Sequence, residues 1–157
     1  MKEAIDTLLT HRDFREGRYW TRRRVAAGET VLEQGSRGRE VFLVESGSVR
    51  VMGNVILEGP RLMRSGVCDL PAGAVFGELA LFDNSPRSAS VVALSECSLI
   101  ALDGDELFEF FEGHPDIGYR VLRALTATLV SRLRRTDRQL FSVFAWGLKA
   151  HDIERHL

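Results

Sequence analysis

The sequence predicts a mainly β fold with flanking helices: an antiparallel β-roll of the jelly-roll kind followed by a long C-terminal helix. Three observations carry this. Between Arg24 and Leu102, short runs of Val, Leu, Ile and Phe are punctuated by Gly, Pro, Asn and Ser at roughly eight- to twelve-residue intervals, the texture of a small antiparallel barrel or sandwich. After Leu102 the apolar period lengthens to that of a helix. From Pro115 that pattern runs without a breaker to about Trp146.

Taken in order, Ile5, Leu8, Leu9 and Phe14 sit at mixed helical spacing and predict a short amphipathic helix from about Ile5 to Tyr19, within an N-terminal segment 1–20. The β-roll, 21–113, is expected to take its strands from TVLEQG, EVFLVESG, SVRVMG, NVILEG, SASVVAL and CSLIALD. Asp103 with Glu106 three positions later resembles a capping box and starts a helix through about Phe111. Gly113 and Pro115 then punctuate the chain, and Pro115 suits the first turn of the long helix of the segment 114–157.

With 157 residues the chain can bury one core and is too short for two full domains with a linker. A content of 45% hydrophobic and 27% charged residues is that of an ordinary globular protein, and a formal net charge of −1 provides no global attraction to nucleic acid or an anionic membrane. The triple arginine Arg22 to Arg24 reads as a solvated basic face. No signal peptide or membrane span is visible, so the cytoplasm is the expected address. Cys68 and Cys97 have neither a CxxC spacing nor the number for a disulfide framework, and are expected to be reduced and structural.

The informative stretch is VFGELALFDNSPRSASVVA, residues 75–93, where an oily segment carries one carboxylate, Glu78, and one guanidinium, Arg87, either side of a turn. Gly77 lets the backbone approach a ligand closely, and the helix expected from Glu78 through Leu81 offers unpaired N–H groups to an anion. Arg87 among small and apolar residues needs a partner, and a phosphate suits its planar fork. The N–H groups of Ser88 and Ala89 can add to that cradle. Glu78 would repel a phosphate unless it accepts a hydrogen bond from a hydroxyl of the same ligand, as a ribose 2′-OH offers. The alternative is a structural Glu78–Arg87 ion pair across the turn.

FGELALFDNSPRSAS resembles the phosphate-binding cassette of cyclic nucleotide-binding domains, the family of the bacterial catabolite activator protein and of the regulatory subunits of cyclic-AMP-dependent protein kinase. Phe76, Gly77, Glu78, Leu79, Ala80, Leu81, Pro86, Arg87 and Ala89 all match, at the family's Glu-to-Arg spacing. AAGETVLEQGSRGREVFLVESGSVRV resembles the first strands, LPAGAVFGE the lead-in, and the segment between Gly53 and Cys68 fits loosely. The resemblance implies a non-catalytic sensor domain in signal transduction that binds a 3′,5′-cyclic nucleotide through a cassette at 75–91. Glu78 would take the ribose hydroxyl and Arg87 the cyclic phosphate, with the amides of Leu79, Ala80, Ser88 and Ala89 completing the pocket. Ser88 is compatible with cAMP or cGMP, and the family's catabolite-activator branch favours cAMP. The family's long helix also closes over the base, which makes Ser131, Arg132 and Arg135 the polar candidates there.

Leu122, Thr126, Leu129, Leu133, Thr136, Leu140 and Val143 alternate four and three apart, a heptad seam that predicts a homodimer through the C-terminal helix, with Ile117, Val121 and Leu125 left to pack on the chain's own β-roll. Other functions fit less well. A transcription regulator of the catabolite-activator type needs a helix-turn-helix, and the 11 residues after Trp146 are too few, so that role is expected only of a longer chain. A degenerate domain that keeps the fold without its ligand is the other alternative. A metal enzyme of cupin type is not expected, because His11, His114, His151 and His156 all lie outside the strand zone. No serine or cysteine has a plausible histidine base among the strands, so catalytic residues, catalytic cofactors and metals are all absent from the expectation.

Overall fold

The computed structural model describes residues 1–56 and 62–150. The end of the expected NVILEG strand, and the tail with His151 and His156, lie outside the described residues. The chain forms two compact units, Met1–Val121 and Leu122–Leu157. Val121 is buried, and at Gly118 a Cβ would stand 2.8 Å from Phe111 Cβ, so the first turns after Pro115 lie directly against the preceding helix and belong to the first of these units.

In the first unit, α1 (Lys2–Leu9) precedes eight strands: β1 (Trp20–Val25), β2 (Thr30–Leu32), β3 (Val41–Ser46), β4 (Ser48–Ile56), β5 (Leu62–Pro71), β6 (Val75–Phe76), β7 (Ser90–Ala93) and β8 (Cys97–Leu102). A short helix, α2 (Ala80–Asp83), interrupts them after β6, and α3 (Gly104–Gly113) and α4 (Pro115–Ala150) follow. All strand pairs are antiparallel, in two four-stranded sheets of order β1-β8-β3-β6 and β2-β7-β4-β5. The core consists of Val25, Leu32, Phe42, Val44, Val49, Phe76, Val91, Cys97 and Leu99 with their neighbours, drawn from both sheets, and it is the burial of these side chains that holds the roll together.

Where element and expectation differ, the reasons are local or tertiary. The N-terminal helix stops at Leu9, not near Tyr19. Thr10 Oγ1 donates to the carbonyls of Asp6 and Thr7, and Asp13 N donates to His11 Nδ1, so side chains take the bonds that a further turn needs. Phe14 then folds in to stack on Tyr19 at 4.9 Å and meets Phe110 of α3 edge-on at 4.8 Å. β1 was hidden by its three arginines; six residue pairs with β8 hold it as a strand. Arg22 forks onto Glu45 with two 2.9 Å bonds, and Arg23 reaches Glu29 at 3.3 Å, so these two charges are answered on the surface of the roll. The Arg22 and Ser98 hydrogen bonds hold the Glu45 carboxyl below its usual range. SVRVMG and NVILEG are one strand, because the pairing of β4 with β5 continues through Gly53 opposite Ser65. The bulge in that ladder falls between Val51 and Met52.

The helix starts where Asp103 predicts, its Oδ1 accepting from the N–H groups of Asp105 and Glu106 at 3.0 Å each, but the capping box is not closed, because Asp103 N donates to the Tyr19 carbonyl and the Glu106 carboxylate accepts from Arg18 Nε. Cys68 and Cys97 are both free, the latter buried. In the second unit, the seam threonines Thr126 and Thr136 return their hydroxyls to the carbonyls of Leu122 and Arg132, so the seam's polar atoms are satisfied within the helix. Among the described residues, no helix is long and apolar enough to cross a membrane.

Candidate functional site

The site grows from β6. Phe76 pairs with Phe42 across the β3–β6 ladder and stacks on it, ring centroids 5.1 Å apart and 11° from parallel. With Phe42 1% and Phe76 2% exposed, the start of the segment is anchored in the core. Gly77 then turns the chain at φ +77°, where a side chain is strained. A Cβ there would stand 3.1 Å from both Arg87 Nη1 and the Glu40 carbonyl oxygen. Glycine is therefore needed twice over, for the backbone angle and for the room it leaves the guanidinium.

Glu78 and Leu79 lead into α2, which begins at Ala80 and not at Glu78. With four residues, α2 offers an anion individual N–H groups and little summed dipole. Its C-cap is Asn84, at φ 52°, and Asp83 Oδ1 accepts from Ser85 N at 3.0 Å, which closes the turn and lowers the Asp83 pKa. Arg39 Nη2 donates to the carbonyl of Leu81 at 3.1 Å while its Nη1 meets Asp105 at 2.9 Å, tying α2 to the start of α3. Arg39 Nε is buried without a hydrogen-bond partner among the described residues.

The chain returns through Pro86 and Arg87. The Arg87 main chain is held on both sides: its N–H donates to the Ser36 carbonyl and its carbonyl accepts from Gly35 N, each at 2.8 Å. Ser88 and Ala89 follow, and Ser90 Oγ accepts from Gln34 N at 2.9 Å where β7 begins. The guanidinium, on a residue only 6% exposed, donates from Nη1 to the Gly77 carbonyl and from Nη2 to the Glu40 carbonyl, both at 2.9 Å. Burial pulls its pKa down from the ordinary value, with the charge of Glu40 opposing. A Cβ on Gly38 would touch Nη2 at 3.4 Å, so two glycines flank the charge.

The structure thus brings Phe76, Gly77, Glu78, Ala80 and Arg87 into one buried turn, with Leu79, Pro86, Ser88 and Ala89 on its more exposed side. The expected alternative of a Glu78–Arg87 ion pair is not what holds the guanidinium; main-chain oxygens do. Sequence reasoning missed Gly38, Arg39 and Glu40, whose only mark is a charged, glycine-bearing loop between two strands. Ser131, Arg132 and Arg135 lie on α4 in the second unit. Ligand atoms of His11, Asp13 and His114, two of the histidines that sequence reasoning set aside as lying outside the strand zone, come within 4.8 Å of one another.

The family pattern of the cyclic nucleotide-binding domain matches residues 22–114. This chain belongs to the cyclic nucleotide-binding domain family. A cAMP-dependent protein kinase regulatory subunit of Blastocladiella emersonii is 44% identical over 86 residues, which is 52% of this chain and 19% of that protein. A cyclic AMP receptor protein of Thermus thermophilus is 32% identical over 122 residues, 78% of this chain and 53% of that one. The crystal structure of a cyclic nucleotide-binding domain from Methylobacillus flagellatus superimposes with a TM-score of 0.69 at 28% identity, covering 74% of this chain and 64% of that domain's. The chain spans about a fifth and about half of the two curated relatives' lengths, so it shares with them a cyclic nucleotide-binding module.

Proposed function

We propose that this cyclic nucleotide-binding domain takes cAMP and serves as the sensing part of a regulatory protein. The observation that carries the reading is the Arg87 guanidinium. It is a buried cation whose hydrogen bonds among the described residues use two of five N–H donors, both on neutral carbonyls, and it stands in no ion pair among those residues. A cyclic phosphate supplies the missing charge and accepts the remaining donors. The carbonyl that Nη1 holds is bonded to the Glu78 nitrogen, so the buried carboxylate of Glu78 starts from the same turn, the arrangement that a ribose hydroxyl next to a phosphate asks for. The amides of Leu79, Ala80, Ser88 and Ala89 complete the proposed cradle. The names of the kinase regulatory subunit and the cyclic AMP receptor protein support cAMP as the ligand and regulation as the role.

Titration calorimetry with cAMP, cGMP and 2′-deoxy-cAMP tests this. Wild type is expected to bind cAMP most tightly, and Glu78→Gln to narrow the gap between cAMP and its 2′-deoxy analogue by about 1.5–3 kcal/mol, the scale of a hydrogen bond to a charged group. An unchanged gap removes Glu78 from ribose recognition, and tighter binding of cGMP overturns the choice of nucleotide.

A homodimer through α4 is proposed with it. Leu133, Leu140, Phe141, Val143, Phe144 and Trp146 are each more than half exposed, an apolar surface of the kind that marks an association site. Light scattering is expected to give twice the chain mass for wild type and a single chain mass for Leu140→Asp. A monomeric wild type at high concentration refutes the dimer.

A further inference from the structure

We infer that His11, Asp13 and His114 form a binding site for a divalent transition metal of the zinc type, on the first unit and outside the cyclic nucleotide site. Their donor atoms already face one another: Asp13 Oδ2 stands 3.7 Å from His114 Nε2 and 4.0 Å from His11 Nδ1, and all three lie within 4.8 Å. Around a tetrahedral metal with bonds of about 2.0–2.2 Å, ligand atoms sit about 3.4 Å apart. Closure therefore asks for an approach of the two imidazoles together with a rotation of the exposed Asp13 carboxylate. Two imidazoles and a carboxylate suit zinc, cobalt, nickel or copper and not magnesium or calcium, and three protein ligands leave a coordination position for water.

The hydrogen-bond pattern of the rings suits a metal ligand. His114 Nδ1 lies 3.1 Å from the Phe110 carbonyl, and because a carbonyl only accepts, this nitrogen carries the hydrogen. In the neutral ring the lone pair is then on Nε2, the atom facing Asp13, and a second nitrogen bonded to a main-chain carbonyl is the usual support of a metal-bound histidine. His11 Nδ1 accepts a long 3.3 Å bond from Asp13 N, and a metal would take that lone pair in place of the bond. Only Arg12 competes for the carboxylate among the described residues, at 3.6 Å, and its side chain is 90% exposed and free to swing away.

Both rings pack against aromatic neighbours. His114 stacks on Phe110 at 4.1 Å and meets His11 edge-on at 4.9 Å, and Phe110 is itself clasped by Phe14 and Tyr19. His11 N bonds the Leu8 carbonyl and His114 N the Phe111 carbonyl, so each backbone is fixed at a helix end. A bound metal would staple the turn after α1 to the junction of α3 and α4.

The test uses chelator-treated full chain carrying His151→Ala and His156→Ala, which removes the tail imidazoles. Zinc chloride is expected to bind one ion per chain by calorimetry and to raise the thermal midpoint, magnesium chloride to do neither, and cobalt(II) to give the visible absorption of a tetrahedral site. His114→Ala should weaken zinc by more than about 100-fold, since even outer-shell partners of a metal cost 10–100-fold. Asp13→Asn changes only an exposed side chain, so the fold is kept, and it should weaken zinc by at least about tenfold. Failure to bind zinc at millimolar concentration, or the same affinity in Asp13→Asn and His114→Ala as in the parent, overturns the site. Neither result bears on cAMP binding, which Arg87 and Glu78 carry independently.

Discussion

Arg87→Ala is expected to weaken cAMP by about 1.5–3 kcal/mol, roughly 10- to 150-fold in dissociation constant, the range for a charge-assisted hydrogen bond. The loss has two sources. On the proposed reading the phosphate gives up a cationic partner, and the Gly77 and Glu40 carbonyls, bonded at 2.9 Å in the wild type, lose the donors that hold the turn in shape. Arg87→Lys separates the two, because an ammonium keeps the charge but lacks the planar fork that reaches both carbonyls. Its affinity should fall between wild type and alanine. Calorimetry is the measurement, with circular dichroism to show that each variant is folded; undiminished affinity in Arg87→Ala would sink the binding site as described.

Phe42→Ala is expected to cost about 3–5 kcal/mol of stability, a large share of what a domain of this kind has. The side chain is 1% exposed and faces Phe76 in the adjoining strand, so its removal leaves a cavity that the two stiff sheets cannot collapse. Urea unfolding followed by near-ultraviolet circular dichroism measures it. Phe82→Ala is the control: that ring is 52% exposed and among the described residues its one aromatic neighbour is Phe108 at 6.4 Å, so the cost should be about 1 kcal/mol or less. Equal losses in the two variants would mean that the Phe42–Phe76 stack does not anchor the segment. Because Phe76 is bonded directly to Gly77, Phe42→Ala should also reduce cAMP affinity under conditions where the protein remains folded.

What could be read from sequence follows the range of the interactions involved. The Asp103 cap is made within three residues, and it appeared where the spacing put it. The α4 pattern is likewise local. The positions of Glu78 and Arg87 were legible because a single turn separates them. The groups that hold Arg87 were not, since Glu40 is 47 residues away along the chain and contributes only its carbonyl, which every residue type possesses. β1 was obscured for a related reason: Arg22 and Arg23 look like a solvated run until β3 and the loop before β2 supply Glu45 and Glu29. The N-terminal helix was drawn too long because Phe14 falls on the helical period yet belongs to an aromatic cluster with Tyr19 and Phe110. His11 and His114, more than a hundred positions apart, meet only through that cluster.

If Arg87 takes the cyclic phosphate as proposed, the two main-chain bonds that grip it also set the thermodynamic character of ligand capture. An arginine that had to be recruited from solvent would give up most of its rotational freedom on meeting an anion, but this one has surrendered it during folding. The entropic toll falls on the fold once, and each later arrival of a nucleotide finds a fork already aimed.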